Sequence, residues 1–400
     1  MADKFGAEPS VNDLPSVELS VAGLLARAAA LEGLDDFGDD SFRTPFAVLV
    51  DALNNEAGLN AVGRYTQYER LLNILRNRLR VEAWIKRYPD ILDEVIAPPV
   101  VIIGLQRTGS TYFHRILASD KRFYAPLWYE VRNPAPPMDW DFVSKDPRIT
   151  SAEAEVAAML EANPELAAIH PMDPVAADED IMLLEHSFYS TIPDAFCNVP
   201  SYGQWNDEQD NTPAYQYLKR LLQCLQWQKR RSGQQAERWL LKTPHHLHHI
   251  ATLLDVFPGA KIIQTHRDPL QTIPSAASMN YNLWIMGSDE VDPTVVGAQW
   301  AQKYARGTLH TLATRDAQPE AFLDVWYQDT VADPSDSVAR VYDFIGMTLT
   351  DTAIAAMEKH REDNRREARP GHHYTLEQFG YSEAKLKQQF AEYRRRYIEE

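Results

Sequence analysis

Cysteine is almost absent: Cys197 and Cys224 are the only two in 400 residues. One disulfide would be a thin framework for this length, so a disulfide scaffold is excluded and a reducing, cytoplasmic setting is expected. Long hydrophobic runs are missing too. No stretch approaches the roughly 20 apolar residues that a membrane-spanning helix needs, and the acidic, polar Met1 to Pro15 lacks the apolar centre of a secretory signal. Positive charge is scarce: 40 Lys and Arg stand against 57 Asp and Glu, a net charge of -17. That balance argues against nucleic acid as a partner and requires any anion site to be locally basic. Internal repeats are not found. The 44% of hydrophobic residues still allows a large core, in one elaborated domain or two.

What is present is one organised stretch, Pro98 to Leu117. The β-branched run Val100-Val101-Ile102-Ile103 reads as a buried strand. A turn follows, bracketed by Gly104 and Gly109 and holding Arg107. Tyr112, Phe113, Ile116 and Leu117 then fall at helical spacing, with Ser110 and Thr111 at the helix start. Strand, glycine-rich loop and helix together offer backbone N–H groups and a positive helix end to a phosphate. The spacing approaches the nucleotide loop G-x-x-x-x-G-K-[ST], but Ser110 stands at the lysine position and the charge sits inside the loop, at Arg107. Such a loop cradles a Mg-bound triphosphate poorly. An ordinary βα turn that happens to hold glycines is the competing reading.

Before the loop, Val17–Leu34, Phe42–Asn54 and Ala57–Tyr88 read as helices, the last stopped by Pro89. They form a helical N-terminal cap over residues 1–95, in which Arg76, Arg78 and Arg80 are taken as a solvated face. Beyond the loop, proline makes Ala125 to Pro137 an extended segment, with Glu130 within reach of the same cleft or simply on the surface. A helical insertion spans about 150–235. In it, Asp178, Glu179, Asp180, Glu185 and His186 match no hard-metal template and read as a solvated helix face. The aromatics Phe188, Tyr189, Phe196, Tyr202 and Trp205 either line an acceptor pocket or fill core.

Further strands are Arg238–Lys242, Lys261–His266 and Glu320–Trp326. His245 and His249 lie one turn apart but lack acidic or cysteine companions at zinc spacing, so no metal is expected. Arg267, at a strand's carboxyl end, and Ser275, on the next helix, suit a second phosphate, unless Arg267 merely pairs with Asp268. After residue 350 a basic run with Arg361, Arg365, Arg366 and Arg369 precedes Pro370-Gly371-His372-His373-Tyr374. It reads as an anion-binding flap or as a solvated helix end. Strands alternating with helices predict an α/β fold with a parallel sheet, and ligands beyond the strand carboxyl ends.

Three segments in this order, Ile103 to Thr111, Leu241-Lys242-Thr243-Pro244, and Thr265-His266-Arg267-Asp268-Pro269 with Ser275, resemble the PAPS-dependent sulfotransferases. The likeness is to the bacterial branch related to the tyrosylprotein and carbohydrate enzymes, and it covers roughly Val95 to Met347. It implies a P-loop-like three-layer fold over 96–350, a C-terminal flap and helix over 351–400, and 3'-phosphoadenosine 5'-phosphosulfate as donor. By position, the resemblance implies that Gln106, Arg107, Thr108, Gly109, Ser110 and Thr111 hold the 5'-phosphosulfate. Arg267 and Ser275 would hold the 3'-phosphate and Tyr327 would sit on the nucleotide side; Arg369 and Gly371, in the flap segment, are read as further donor-binding residues. Lys242 and Arg107 would stabilise the sulfuryl group, and Glu130 would be the general base, with His170, His186 or His245 behind it.

Sulfuryl transfer is mainly a matter of positioning and electrostatics, needs no metal, and needs a base for the acceptor hydroxyl. The expected activity is therefore transfer to a hydroxyl of a small-molecule, lipid-like or carbohydrate acceptor. A P-loop kinase or NTPase and a non-catalytic nucleotide-binding protein are the rivals. A homodimer is allowed.

Overall fold

The structure is a computed structural model that describes residues 14–162, 172–364 and 375–399. Five strands form one sheet: β1 (Val100–Gly104), β2 (Phe123–Tyr124), β3 (Arg238–Lys242), β4 (Lys261–His266) and β5 (Phe322–Trp326). All pair in parallel, in the order β2-β3-β1-β4-β5, so β1 is central and its chain reversals lie at the carboxyl edge. The register sets Ile102 beside Lys242 and Gly104 beside Thr265. The short β2 was not expected from sequence, where prolines dominate; two residues give too little pattern to read.

Alternate strand residues face opposite layers, as the two-residue period requires. Val101, Ile103, Leu241 and Ile262 pack on one side with the helices Thr212–Arg231, Ile250–Val256 and Pro293–Ala317. Val100, Ile102, Leu240, Ile263 and Val325 pack on the other, against Phe113, Ile116 and Leu117 of Ser110–Leu117 and Val341 and Ile345 of Pro334–Ile345. This is the expected three-layer α/β fold.

The cap helices are Val21–Glu32, Arg43–Asn55 and Ala61–Arg87. Leu24, Phe42, Phe46, Leu71 and Leu75 form a second core, which Phe188 and Tyr202 enter from the middle of the chain. Those two rings are therefore core rather than pocket lining. Trp84 and Ile85, at the far end of the long helix, belong to the sheet's own core, so one helix ties the cap to the sheet.

The solvated face expected at Arg76, Arg78 and Arg80 is not observed. Arg78 is fully buried, with its guanidinium 4.1 Å from the Phe42 ring and 4.2 Å from the Tyr217 ring, and it donates to the carbonyls of Phe37 and His186. Arg76 and Arg80 both bind Glu32. A buried guanidinium is tolerated when its donors and its flat faces are all occupied. Period alone cannot reveal such partners, because they lie tens of residues away.

Candidate active site

The glycine-bracketed turn leaves β1 at Gly104, whose φ of +147° and 2.2 Å clearance to Thr265 Oγ1 leave no room for a Cβ. Arg107 has φ +68°, a left-handed backbone unusual for a residue with a side chain. Gly109, at φ +80°, is the N-cap of Ser110–Leu117 and, as glycine, offers its first N–H groups no side-chain cap. Free N–H groups and a positive helix end thus face outward from the carboxyl edge of the sheet. Thr108 is turned inward: its hydroxyl donates to the Leu105 carbonyl at 2.8 Å within the loop and lies 2.7 Å from Thr265 Oγ1, which ties the loop to β4.

Four of the expected residues gather around this turn. Arg107 Nε donates to Ser275 Oγ at 3.2 Å. Arg267 donates to the Arg107 carbonyl at 2.9 Å and lies 4.0 Å over the Tyr327 ring. Tyr327 in turn packs on Gly109, where an added Cβ would stand 3.0 Å from the ring. Arg267 does not pair with Asp268, whose carboxylate binds Arg394 of the C-terminal helix Ala391–Tyr397. Asp268 also caps Pro269–Trp284, the helix that carries Ser275.

Lys242 completes the group from the next strand. Its ammonium donates to Thr111 Oγ1 at 3.0 Å and pairs with Glu179 Oε1 at 2.5 Å. The neighbouring residue fixes this geometry. Asp180, fully buried, accepts the Lys242 backbone N–H at 2.8 Å and meets His246 Nε2 at 2.9 Å. Burial alone would raise the Asp180 carboxyl, but His246 and these N–H bonds hold it below its ordinary value. Anchored at Asp180, the chain holds Glu179 against the Lys242 side chain.

Glu179 also borders a small cleft of about 50 Å³, shared with Gln106, Ile192, His245, Trp300 and Tyr304. Gln106 therefore lies on this side of the loop. The acidic segment is thus not the solvated face expected. Asp178, Asp180, Glu185 and His186 are buried, and Glu185 is paired with Arg70. Sequence reading missed Glu179 for that reason; three successive acids just before the apolar Ile181-Met182-Leu183-Leu184 were the signal available.

Glu130 is not among the residues that line this cleft. It is on a short helix, Trp128–Arg132, not on a loop. One carboxylate oxygen accepts the Leu127 N–H at 2.9 Å and the other meets Lys229 Nζ at 2.6 Å, with both side chains buried. That is a helix-capping carboxylate in a sealed ion pair, with both oxygens engaged. His186 is also turned away, with Nδ1 on the Met182 carbonyl and burial pulling its pKa down to about 4. His245 does border the cleft, but burial and three neighbouring histidines hold it well below its ordinary pKa, which makes it a poor proton acceptor. His170, Arg369 and Gly371 lie outside the described residues. Among the described residues, no cluster of three or more His, Cys, Asp or Glu is arranged to hold a metal ion.

An uncapped helix end behind a glycine-bracketed loop, joined by two arginines and a buried lysine at the carboxyl edge of a parallel sheet, defines an anion-handling α/β transferase. The chain belongs to the sulfotransferase family, whose profile matches residues 98–351. It is 27% identical over 301 residues to the omega-hydroxy-beta-dihydromenaquinone-9 sulfotransferase Stf3 of Mycobacterium bovis and of Mycobacterium tuberculosis, covering 72% of this chain and 73% of each relative. The crystal structure of sulfotransferase STF1 from Mycobacterium tuberculosis superposes with a TM-score of 0.82 at 31% identity, over 93% of this chain and 98% of that one. Sulfotransferase STF9 from Mycobacterium avium gives a TM-score of 0.85 at 27% identity, over 96% and 98%.

Proposed function

We propose that the chain transfers the sulfuryl group of 3'-phosphoadenosine 5'-phosphosulfate to a hydroxyl of a lipid-like or other small acceptor, in a cytoplasmic setting. The observation that carries this reading is the Lys242 ammonium, bonded at once to Thr111 in the first turn of an uncapped helix and to Glu179 at the cleft. In this reading the amides of Gly109, Ser110 and Thr111, with Arg107, bind the 5'-phosphosulfate. Arg267 and Ser275 bind the 3'-phosphate, and Tyr327 backs Arg267. The donor, when bound, supplies the activated sulfuryl group.

Lys242 then has an anionic partner that competes with Glu179 for its ammonium, and Glu179 is released to act as base. Glu179 takes the acceptor's hydroxyl proton as the acceptor oxygen bonds to sulfur and the bond from sulfur to the bridging oxygen breaks. Lys242 and Arg107 neutralise the charge that grows on that bridging oxygen. The role first expected of Glu130 passes to Glu179. The apolar wall formed by Ile181, Ile192, Ala195 and Trp300 suits an acceptor with an apolar part. The Stf3 relatives, named for an omega-hydroxy menaquinone derivative, support the same choice.

Isothermal titration with adenosine 3',5'-bisphosphate tests the donor side. Binding is expected in the folded protein and should weaken in Arg107→Ala and Arg267→Ala. A folded protein that fails to bind the bisphosphate, or that prefers Mg-ATP, would overturn the reading.

A further inference from the structure

The cleft beside Glu179 is mostly apolar, yet two polar atoms on it have no partner among the described residues. Gln106 Oε1 is one and His245 Nε2 is the other; both are shielded from solvent. His245 is 2% exposed, and among the described residues its ring hydrogen-bonds to Thr191 alone, through a long contact of 3.4 Å between Nδ1 and Thr191 Oγ1. Thr191 thus orients the ring while Nε2 stays unpaired. Buried polar atoms are nearly always satisfied, and a pair left over in one cleft marks a place where a ligand supplies the partner.

The charge of that ligand can be read from its surroundings. His245 is held neutral by burial and by His249, His246 and His248. His248, also on the cleft, is pulled down by burial to about 3. The acid pair Asp194 and Asp207 is already paired with Lys303, and Asp207 also with Arg306. This end of the cleft therefore presents no open charge to a ligand. A charged ligand group would lose its hydration without gaining a counter-ion, whereas a neutral oxygen would gain hydrogen bonds.

We propose that the acceptor carries, besides the hydroxyl that reacts beside Glu179, a second neutral hydrogen-bonding oxygen on an otherwise apolar skeleton, and that His245 Nε2 binds it, Gln106 Oε1 taking part only where that oxygen is a hydroxyl. A carbonyl accepts from His245 when Nε2 carries the proton; a hydroxyl can also donate to Gln106 Oε1. His245 is thus a specificity residue rather than the base. The inference rests on the sulfuryl-transfer reading above and deepens it.

The test uses the full chain, labelled phosphosulfate donor, and ten-carbon primary alcohols with and without a ketone carbonyl placed three to six carbons from the hydroxyl. The quantity read is the kcat/KM of each keto-alcohol relative to the plain alcohol. At least one keto-alcohol should exceed the plain alcohol by about tenfold, the worth of one buried neutral hydrogen bond, with the gain in KM. His245→Phe should bring that ratio to about one, and His245→Gln, which keeps a polar end, should restore part of it. Thermal melts confirm that both variants fold.

The proposal is overturned if no keto-alcohol is favoured by the native protein, or if the ratio survives in His245→Phe. It is likewise overturned if adenosine 3',5'-bisphosphate binds while none of these alcohols is sulfated. Failure of the bisphosphate itself to bind would instead strike the functional reading on which the proposal stands.

Discussion

Two lysine–carboxylate pairs lie in this protein at nearly the same separation, 2.6 Å for Lys229–Glu130 and 2.5 Å for Lys242–Glu179. Their surroundings differ. Lys229 and Glu130 are both sealed, at 5% and 3% side-chain exposure, and Glu130 also caps its own helix. Lys242 is equally buried at 1%, but Glu179 is 22% exposed, borders a cleft, and shares its lysine with the first turn of an uncapped helix. The first pair is closed on itself, and removing either half strands a charge. The second has one partner poised to exchange. Chemistry at a site is thus distinguished by what a pair can let go of, not by how tightly it is drawn.

The sharpest way to break that comparison is to neutralise one partner of each pair. Glu179→Gln should lower kcat by about 10²- to 10⁴-fold, the usual worth of general-base catalysis, while the melting temperature barely moves. Lys229→Met should do the reverse. It leaves the Glu130 carboxylate buried and unpaired, a loss of about 3–5 kcal/mol that appears as a lower denaturation midpoint, whereas kcat of the folded protein stays close to native.

Acid should destabilise the protein through its buried histidines. Burial holds His114, His248 and His249 at about 3 and His186 at about 4. In the unfolded chain these rings take up protons near pH 6.5, so the unfolded state binds more protons between that value and the folded ones. Stability is therefore fully present above pH 6.5 and falls as pH drops, by about 1.4 kcal/mol per pH unit for each ring. Chemical denaturation between pH 7 and 5 checks the slope; a flat profile would deny the buried neutral histidines.

Arg267→Ala and Arg107→Ala carry the smallest effects. Each should weaken adenosine 3',5'-bisphosphate by about 1.5–3 kcal/mol, the range for hydrogen bonds to charged groups, as read by calorimetry. Neither should disturb the Lys242–Glu179 pair.

The gathering of residues around the glycine-bracketed loop was legible in the sequence. Gly104, Arg107, Gly109 and Thr111 lie within eight residues, and strand pattern placed Lys242 and Arg267 at carboxyl ends, where a parallel sheet must bring them together. The Lys242–Glu179 pair was not legible. Glu130 stood close in sequence to the loop and drew the role of base, while Glu179 reaches Lys242 across 63 residues and was hidden in an acidic run that looked solvated. Arg78 misled in the same way: its partners Phe37 and His186 lie 41 and 108 residues away. Local pattern reports what a segment prefers, and only the folded chain reports which buried charges have met. His245 shows a milder case. The sequence marked it as an alternative base, and its burial turns it into a neutral hydrogen-bonding group.

The central claim is that Glu179, released by Lys242, takes the proton of the acceptor. Single-turnover transfer of labelled sulfate to a ten-carbon primary alcohol, compared between Glu179→Gln and Glu130→Gln at saturating donor, tests it most directly. The account predicts a rate lowered at least about a hundredfold in the first and near the native rate in the folded fraction of the second. A native rate in Glu179→Gln, with the loss falling on Glu130→Gln, would contradict it.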